Sequence, residues 1–206
     1  MFMRFHNFRC FFVHLIIKDP NSLYIPGSRD SDWLKLKDFV TFDLAVLGFY
    51  DTPESKKAGK PFSAVLAGTF NPETGKYETL VKVGVGSVKE QEEIYGMTDE
   101  LVRTNINYNR TVKANPMIIT NPLMDKVKKK VPNRIAVFEE GHVPIIEVQC
   151  LDVTYSKNWH SCGLHYDDVK AHSLRIGSYK QLRTDKTRTR DVTTTQQIHD
   201  YFLGNV

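Results

Sequence analysis

A chain of 206 residues with 41% hydrophobic and 25% charged residues has the composition of an ordinary globular protein, long enough for one sizeable domain or two small ones. A formal charge of +4 suits a polyanionic partner without requiring one. Three cysteines with no Cys-Xaa-Xaa-Cys pair argue against a disulfide framework and for a reducing, cytoplasmic setting.

The N-terminal run MFMRFHNFRCFFVHLII is interrupted by Arg4, His6, Arg9 and His14 and lacks a small-residue cleavage site, so it does not read as a signal peptide. Its apolar part, Cys10 to Ile17, is too short to span a bilayer, so no membrane partner is expected. Residues 11–18, FFVHLIIK, have the composition of a buried strand, and KDPNSLYIPGSRDSD after them is a loop. WLKLK is a short strand that places Trp33, Lys35 and Lys37 on one face and Leu34 and Leu36 on the other. Two neighbouring ammonium groups repel unless an anion lies opposite them, which marks Lys35 and Lys37 as candidate phosphate contacts.

TFDLAVLGFY carries an apolar run that predicts a strand buried on both faces at its centre. DTPESKKAGKP is polar and turn-rich. FSAVLAGTF and YETLVKVGVG, joined by NPETGK, predict a β-hairpin whose aromatic residues Phe62, Phe70 and Tyr77, with Tyr50 before them, have a spacing suited to a core. Ser87 and Glu90 in SVKE make a capping box that starts a helix near Val88, and TDELVRTNI from Thr98 predicts a second. In NPLMDKVKKKV, Asn121 is an N-cap with Pro122 at the first helical position. The lysines that follow, Lys126, Lys128, Lys129 and Lys130, are candidate phosphate contacts, although a merely solvated face reads the same way.

VPIIEVQCLDVTYS predicts a long strand, AHSLRIGSYKQLR another strand or a bent pair, and TTTQQIHDYF a terminal helix. His160, Cys162 and His165 in HSCGLH are one ligand short of a closed tetrahedral zinc site, so no metal is predicted, and Trp159 and His160 read as packing residues. NRT at 109–111 fits a glycosylation sequon with nothing else to indicate secretion. The closely spaced strands and turns with inserted helices predict a mainly β fold, a small barrel of the OB type, with the first 30-odd residues outside it.

KDPNSLYIPGSRDSDWLKLK, LAVLGFY, GTFNPETGKYETLVKVGVG, IIEVQCLDVTYSKNWHSCGL, SLRIGSY and LRTDK, in that order, resemble the C-terminal portion of the ATP-dependent DNA ligases. The resemblance implies that residues 1–38 are the C-terminal remnant of an adenylation (nucleotidyltransferase) domain and residues 39–206 an OB-fold domain. It implies a part in nick sealing during DNA replication, repair and recombination, with ATP and Mg2+ as cofactors, duplex or nicked DNA as partner, and an intracellular, cytoplasmic or nucleoid-associated location. In the family a lysine of a Lys-Xaa-Asp-Gly motif takes AMP from ATP, AMP passes to a 5′-phosphate, and a 3′-hydroxyl displaces it.

By this resemblance Lys18 closes the Glu-Gly-(three apolar)-Lys motif, and Lys35 and Lys37 are the lysines of the next one, by the nucleotide phosphates. Arg183, Asp185 and Lys186 form the Arg-Xaa-Asp-Lys motif that orients the departing pyrophosphate, since phosphoryl transfer is mainly positioning and neutralisation of spreading charge. The pattern also departs from the family. Val13 and His14 stand where glutamate and glycine are expected, and Ile176, Gly177, Ser178 and Tyr179 stand where relatives often have Phe-Pro-Arg-Phe. No Lys-Xaa-Asp-Gly occurs in the 206 residues, so the chain alone is expected not to self-adenylate, with a separate adenylation domain as the partner that would supply the step. A stand-alone OB nucleic-acid-binding module and an inactive ligase remnant are the alternatives. Without neighbours, FFVHLIIK would expose an apolar edge that must pack on the barrel, pair with another chain or remain poorly ordered.

Overall fold

The computed structural model describes residues 14–23, 25–27, 33–98, 117–126, 130–136 and 143–205. Strands β1 (His14–Lys18) and β2 (Trp33–Lys37) pair antiparallel as a separate two-stranded sheet. Its register sets Lys18 opposite Trp33, Ile16 opposite Lys35 and His14 opposite Lys37, so these residues share one face. At the alternate register positions Leu15 is opposite Leu36 and Ile17 opposite Leu34. Ile17, Leu34 and Leu36 remain 46%, 57% and 51% exposed, because two strands alone offer no second layer. Residues 11–13 of the expected first strand, and Cys10, lie outside the described residues.

Strands β3 (Val40–Tyr50), β4 (Ala64–Asn71) and β5 (Lys76–Gly84) form an antiparallel meander that contains the expected hairpin. Short β6 (Ile118–Ile119) runs parallel to β5, and β7 (Arg134–Ile135) pairs with the end of β3. On the far side of β3 lies β8 (Ile145–Cys150). The expected long strand breaks at Leu151, whose N–H turns to the carbonyl of Arg175, and resumes as β9 (Asp152–Ser156), paired with β10 (Ala171–Arg175). β11 (Ser178–Leu182) then returns to β8.

AHSLRIGSYKQLR is therefore a bent pair. Ile176 at the bend has φ 54, an uncommon value for a β-branched residue. A Cβ on Gly177 would lie 2.9 Å from Val81 of β5 and 3.7 Å from Val148 of β8. The corner thus brings the last strands against β5, and the seven-stranded sheet curls over its core as a mainly β fold of the OB type, a partly open barrel.

The central residues of β3 are buried on both faces as predicted. Leu44, Val46 and Phe49 belong to one core cluster, and Ala45, Leu47 and Tyr50 to another. Simple alternation would put Phe49 with Leu47, but a register shift against β4 between Val46 and Gly48 reverses the parity. Helices α2 (Val88–Met97) and α4 (Thr195–Leu203) close the first cluster through Ile94 and Ile198. Met124 of the short α3 (Pro122–Asp125), Val131 and Ile135 close the second.

The helices start where their caps lie. Ser87 accepts from the Glu90 N–H, Thr194 from Gln197 and Asn121 from Leu123. The turn-rich segment after β3 contains one further capped turn, α1 (Pro53–Lys57), with Thr52 as its N-cap. The helix expected from Thr98 lies outside the described residues from position 99 onward.

Candidate anion-binding site

After β11 the chain turns back on the barrel, because the Arg183 N–H donates to the Ile145 carbonyl (2.8 Å) and the Lys186 N–H to the Arg183 carbonyl (3.3 Å). This turn aims two cationic side chains at a single carboxylate. Arg183 Nη1 donates to Asp43 Oδ1 (2.9 Å) and Lys186 Nζ to Asp43 Oδ2 (2.6 Å). Arg183 also grips Asp185 with two parallel bonds, Nε to Oδ1 at 2.9 Å and Nη2 to Oδ2 at 2.7 Å, the fork geometry that suits guanidinium to carboxylate or phosphate. The clasp raises the pKa of Arg183 and holds the Asp185 carboxyl down at about 2. Asp43 is mostly buried while Asp185 is open to solvent, with side-chain exposures of 17% and 61%.

Asp43 is rigidly placed. Its position on β3 is paired with Glu147 of β8, its N–H donates to Thr193 Oγ1 (3.0 Å), and its carbonyl accepts the Thr193 N–H (2.8 Å). Two cations and two carboxylates thus meet at the barrel edge in a neutral, mutually satisfied group. Arg183, Asp185 and Lys186 were all predicted site residues, and the fold brings them together. Asp43 was missed. Its signal was a lone charge inside the otherwise apolar TFDLAVLGFY, a position that demands a cationic partner once the strand is buried.

No family model matches the chain. The chain is 28% identical over 193 residues to DNA ligase 1 of Saccharomyces cerevisiae, covering 91% of this chain and 23% of that protein. It is 28% identical to the DNA ligase of variola virus over 186 residues, covering 84% of this chain and 29% of that one. Against DNA ligase 1 of Methanosarcina barkeri the identity is 28%, with 89% of this chain and 31% of that one covered. The chain is similar over most of its length to ATP-dependent DNA ligases, and the stretch it matches is their C-terminal part. It spans between 23% and 31% of the length of these ligases. Among solved structures, the ligase domain of M. tuberculosis LigD has a TM-score of 0.43 at 21% identity, covering 85% of this chain and 45% of that one. A mycobacterial DNA ligase D complexed with ATP and MES also has a TM-score of 0.43, at 20% identity, covering 86% of this chain and 45% of that one.

The remaining predicted residues lie elsewhere. Lys18, Lys35 and Lys37 are on the β1–β2 sheet, where the ammonium of Lys18 sits 3.9 Å from the centre of the Trp33 ring and Lys37 is exposed. Among the described side chains no hydrogen bond or ion pair links Lys18 or Lys37 to the Arg183 cluster. Lys126 is exposed just after α3. The Lys130 carbonyl accepts from the Tyr50 hydroxyl (2.6 Å), and its ammonium lies 4.8 Å from the Trp159 ring centre. Lys128 and Lys129 lie outside the described residues.

His160, Cys162 and His165 do not converge. His160 is buried against Trp159, Cys162 accepts from the Thr69 hydroxyl (3.4 Å), and His165 lies 3.6 Å from Glu78. Burial pushes the Cys162 thiol up and His160 down to about 3, so both are neutral packing groups at pH 7.

Proposed function

We propose that this chain acts as the C-terminal part of an ATP-dependent DNA ligase, clamping duplex DNA for nick sealing while its Arg-Xaa-Asp-Lys turn orients the nucleotide phosphates. The observation that carries this reading is the convergence of Arg183 and Lys186 on one carboxylate at the barrel edge, within a chain similar to ligases over most of its length. In this reading residues 1–38 end an adenylation domain, residues 39–206 form the OB-fold domain, and Lys18, Lys35 and Lys37 meet the same phosphates from the β1–β2 side.

A forked guanidinium and an adjacent ammonium fit a polyphosphate, because both are permanent donors and neither can accept. When bound, ATP supplies the adenylyl group, and Mg2+ would shield its phosphates beside these cations. The chain's own groups hold and orient the phosphates, with Asp185 fixing the plane of the Arg183 fork. With no Lys-Xaa-Asp-Gly in the 206 residues, the lysyl-adenylate step falls to a separate adenylation domain.

The test incubates the chain with labelled ATP and magnesium, then measures binding and sealing of a pre-adenylated nicked duplex. The reading expects no label on the protein and duplex binding that weakens as salt rises, by about 0.9 in log K per log salt for each phosphate contacted. Label retained on the protein would overturn the assignment of the nucleophile elsewhere. Failure to bind duplex at low salt would overturn the ligase role.

A second reading, a stand-alone OB nucleic-acid-binding module, would rest on exposed cations such as Lys37 and Lys126. Sealing of the pre-adenylated nick excludes it.

A further inference from the structure

The two oxygens of Asp43 are divided between Arg183 and Lys186, one to each. A carboxylate that bridges two cations in this way stands, in charge and in donor geometry, where two oxygens of one phosphate group would stand. The cations extend from a turn, on long side chains that can swing. Asp43 extends on a short side chain from the middle of a strand, with its backbone hydrogen-bonded to Thr193 in both directions. When the partners separate, the cations move and the carboxylate stays.

We propose that Asp43 is a built-in competitor for phosphate: it holds Arg183 and Lys186 until a ligand of higher negative charge displaces it, and so selects polyphosphate over phosphodiester. The proposal rests on the reading of Arg183 and Lys186 as phosphate-binding groups. Arg183, Lys186 and Asp185 together leave one positive charge on the turn, which Asp43 neutralises. A phosphodiester brings one negative charge and gains nothing over the carboxylate it would replace, whereas pyrophosphate or the tail of a nucleoside triphosphate brings several. Asp43 thereby keeps the turn from being captured by the DNA backbone that the rest of the protein grips. Asp185 cannot play this part, because it lies on the same turn and travels with Arg183.

The experiment titrates the chain with inorganic pyrophosphate and, separately, with dimethyl phosphate, by calorimetry at low ionic strength. Asp43→Asn and Asp43→Ser are each expected to bind pyrophosphate about tenfold more tightly than the wild type and to gain measurable dimethyl phosphate binding. Glu54→Gln, which removes the same charge from α1 beyond the opposite end of β3, leaves both unchanged. In the wild type, the side-chain carboxyl carbon resonance of Asp43 shifts on addition of pyrophosphate. That of Asp51, which accepts from Arg134 at 2.6 Å, does not.

Asp43 variants that bind no more tightly, or an Asp43 resonance unmoved at saturating pyrophosphate, overturn the proposal alone. Pyrophosphate binding that survives in an Arg183→Gln, Lys186→Gln double variant removes the anion site itself, and the proposal with it.

Discussion

The β1–β2 sheet and the barrel both place cationic side chains next to apolar strand positions, yet they treat them in opposite ways. In the barrel, Arg183 and Lys186 are both held by Asp43, and Leu44 to Tyr50 of β3 are buried without exception. In the two-stranded sheet Lys37 is exposed, Lys18 rests on an aromatic face, and Ile17, Leu34 and Leu36 are about half exposed. The barrel supplies a second layer for the apolar residues at the centre of β3 and a fixed carboxylate for Arg183 and Lys186. Among the described residues the two-stranded sheet has neither. Burial of apolar side chains is therefore concentrated in the barrel, where most of the stability is expected.

The comparison breaks most readily at the core. Phe49→Ala removes a fully buried ring that packs 4.9 Å from Phe62 and is expected to cost about 3 to 5 kcal/mol in urea unfolding. Leu34→Ala on the exposed face should change stability by less than about 0.5 kcal/mol. If the two cost the same, the strand pair is part of the core after all.

Acid should sharpen the contrast next. Burial holds His160 down at about 3, and burial with the neighbouring His199 holds His172 down at about 4. Both are neutral in the native barrel, whereas the unfolded chain takes up their protons near pH 6.5. Stability therefore falls as pH drops from about 6.5 towards 4, by up to about 1.4 kcal/mol per pH unit for each histidine. Thermal unfolding between pH 4.5 and 7.5 should show this slope, and His172→Asn should remove about half of it.

The smallest effects come from the cations. Arg183→Gln breaks its contact with Asp43 in a partly buried site and should cost about 1 to 2 kcal/mol, read by the same unfolding. Lys37→Gln should cost less than about 0.5 kcal/mol, yet lower duplex affinity at low salt. Equal stability losses would mean that the two groups of cations are not differently organised.

Much of the fold was legible because its signals are local. The NPETGK turn, the Ser87–Glu90 capping box, Asn121 before Pro122 and the terminal helix each depend on residues a few positions apart. The lysines of WLKLK and the LRTDK turn stood out by spacing and order. The bulge between Val46 and Gly48, the break at Leu151 and the role of Asp43 were not legible, since each is set by a distant strand. Gly48 illustrates the point: a Cβ there would lie 2.9 Å from the Arg134 carbonyl, a neighbour 86 positions along the chain.

The amino-acid sequence by itself determined the strands, the capped helices, the mainly β class and the cationic motif, because dihedral preferences, alternation and caps act over a few residues. Only the tertiary structure decided that Arg183 and Lys186 share one carboxylate, across separations of 140 and 143 residues. It likewise decided that the lysines of WLKLK remain on a sheet of their own. Pairing of charges over such separations follows from how β8 and β11 fold back beside β3, and that packing is a property of the whole chain rather than of any stretch within it.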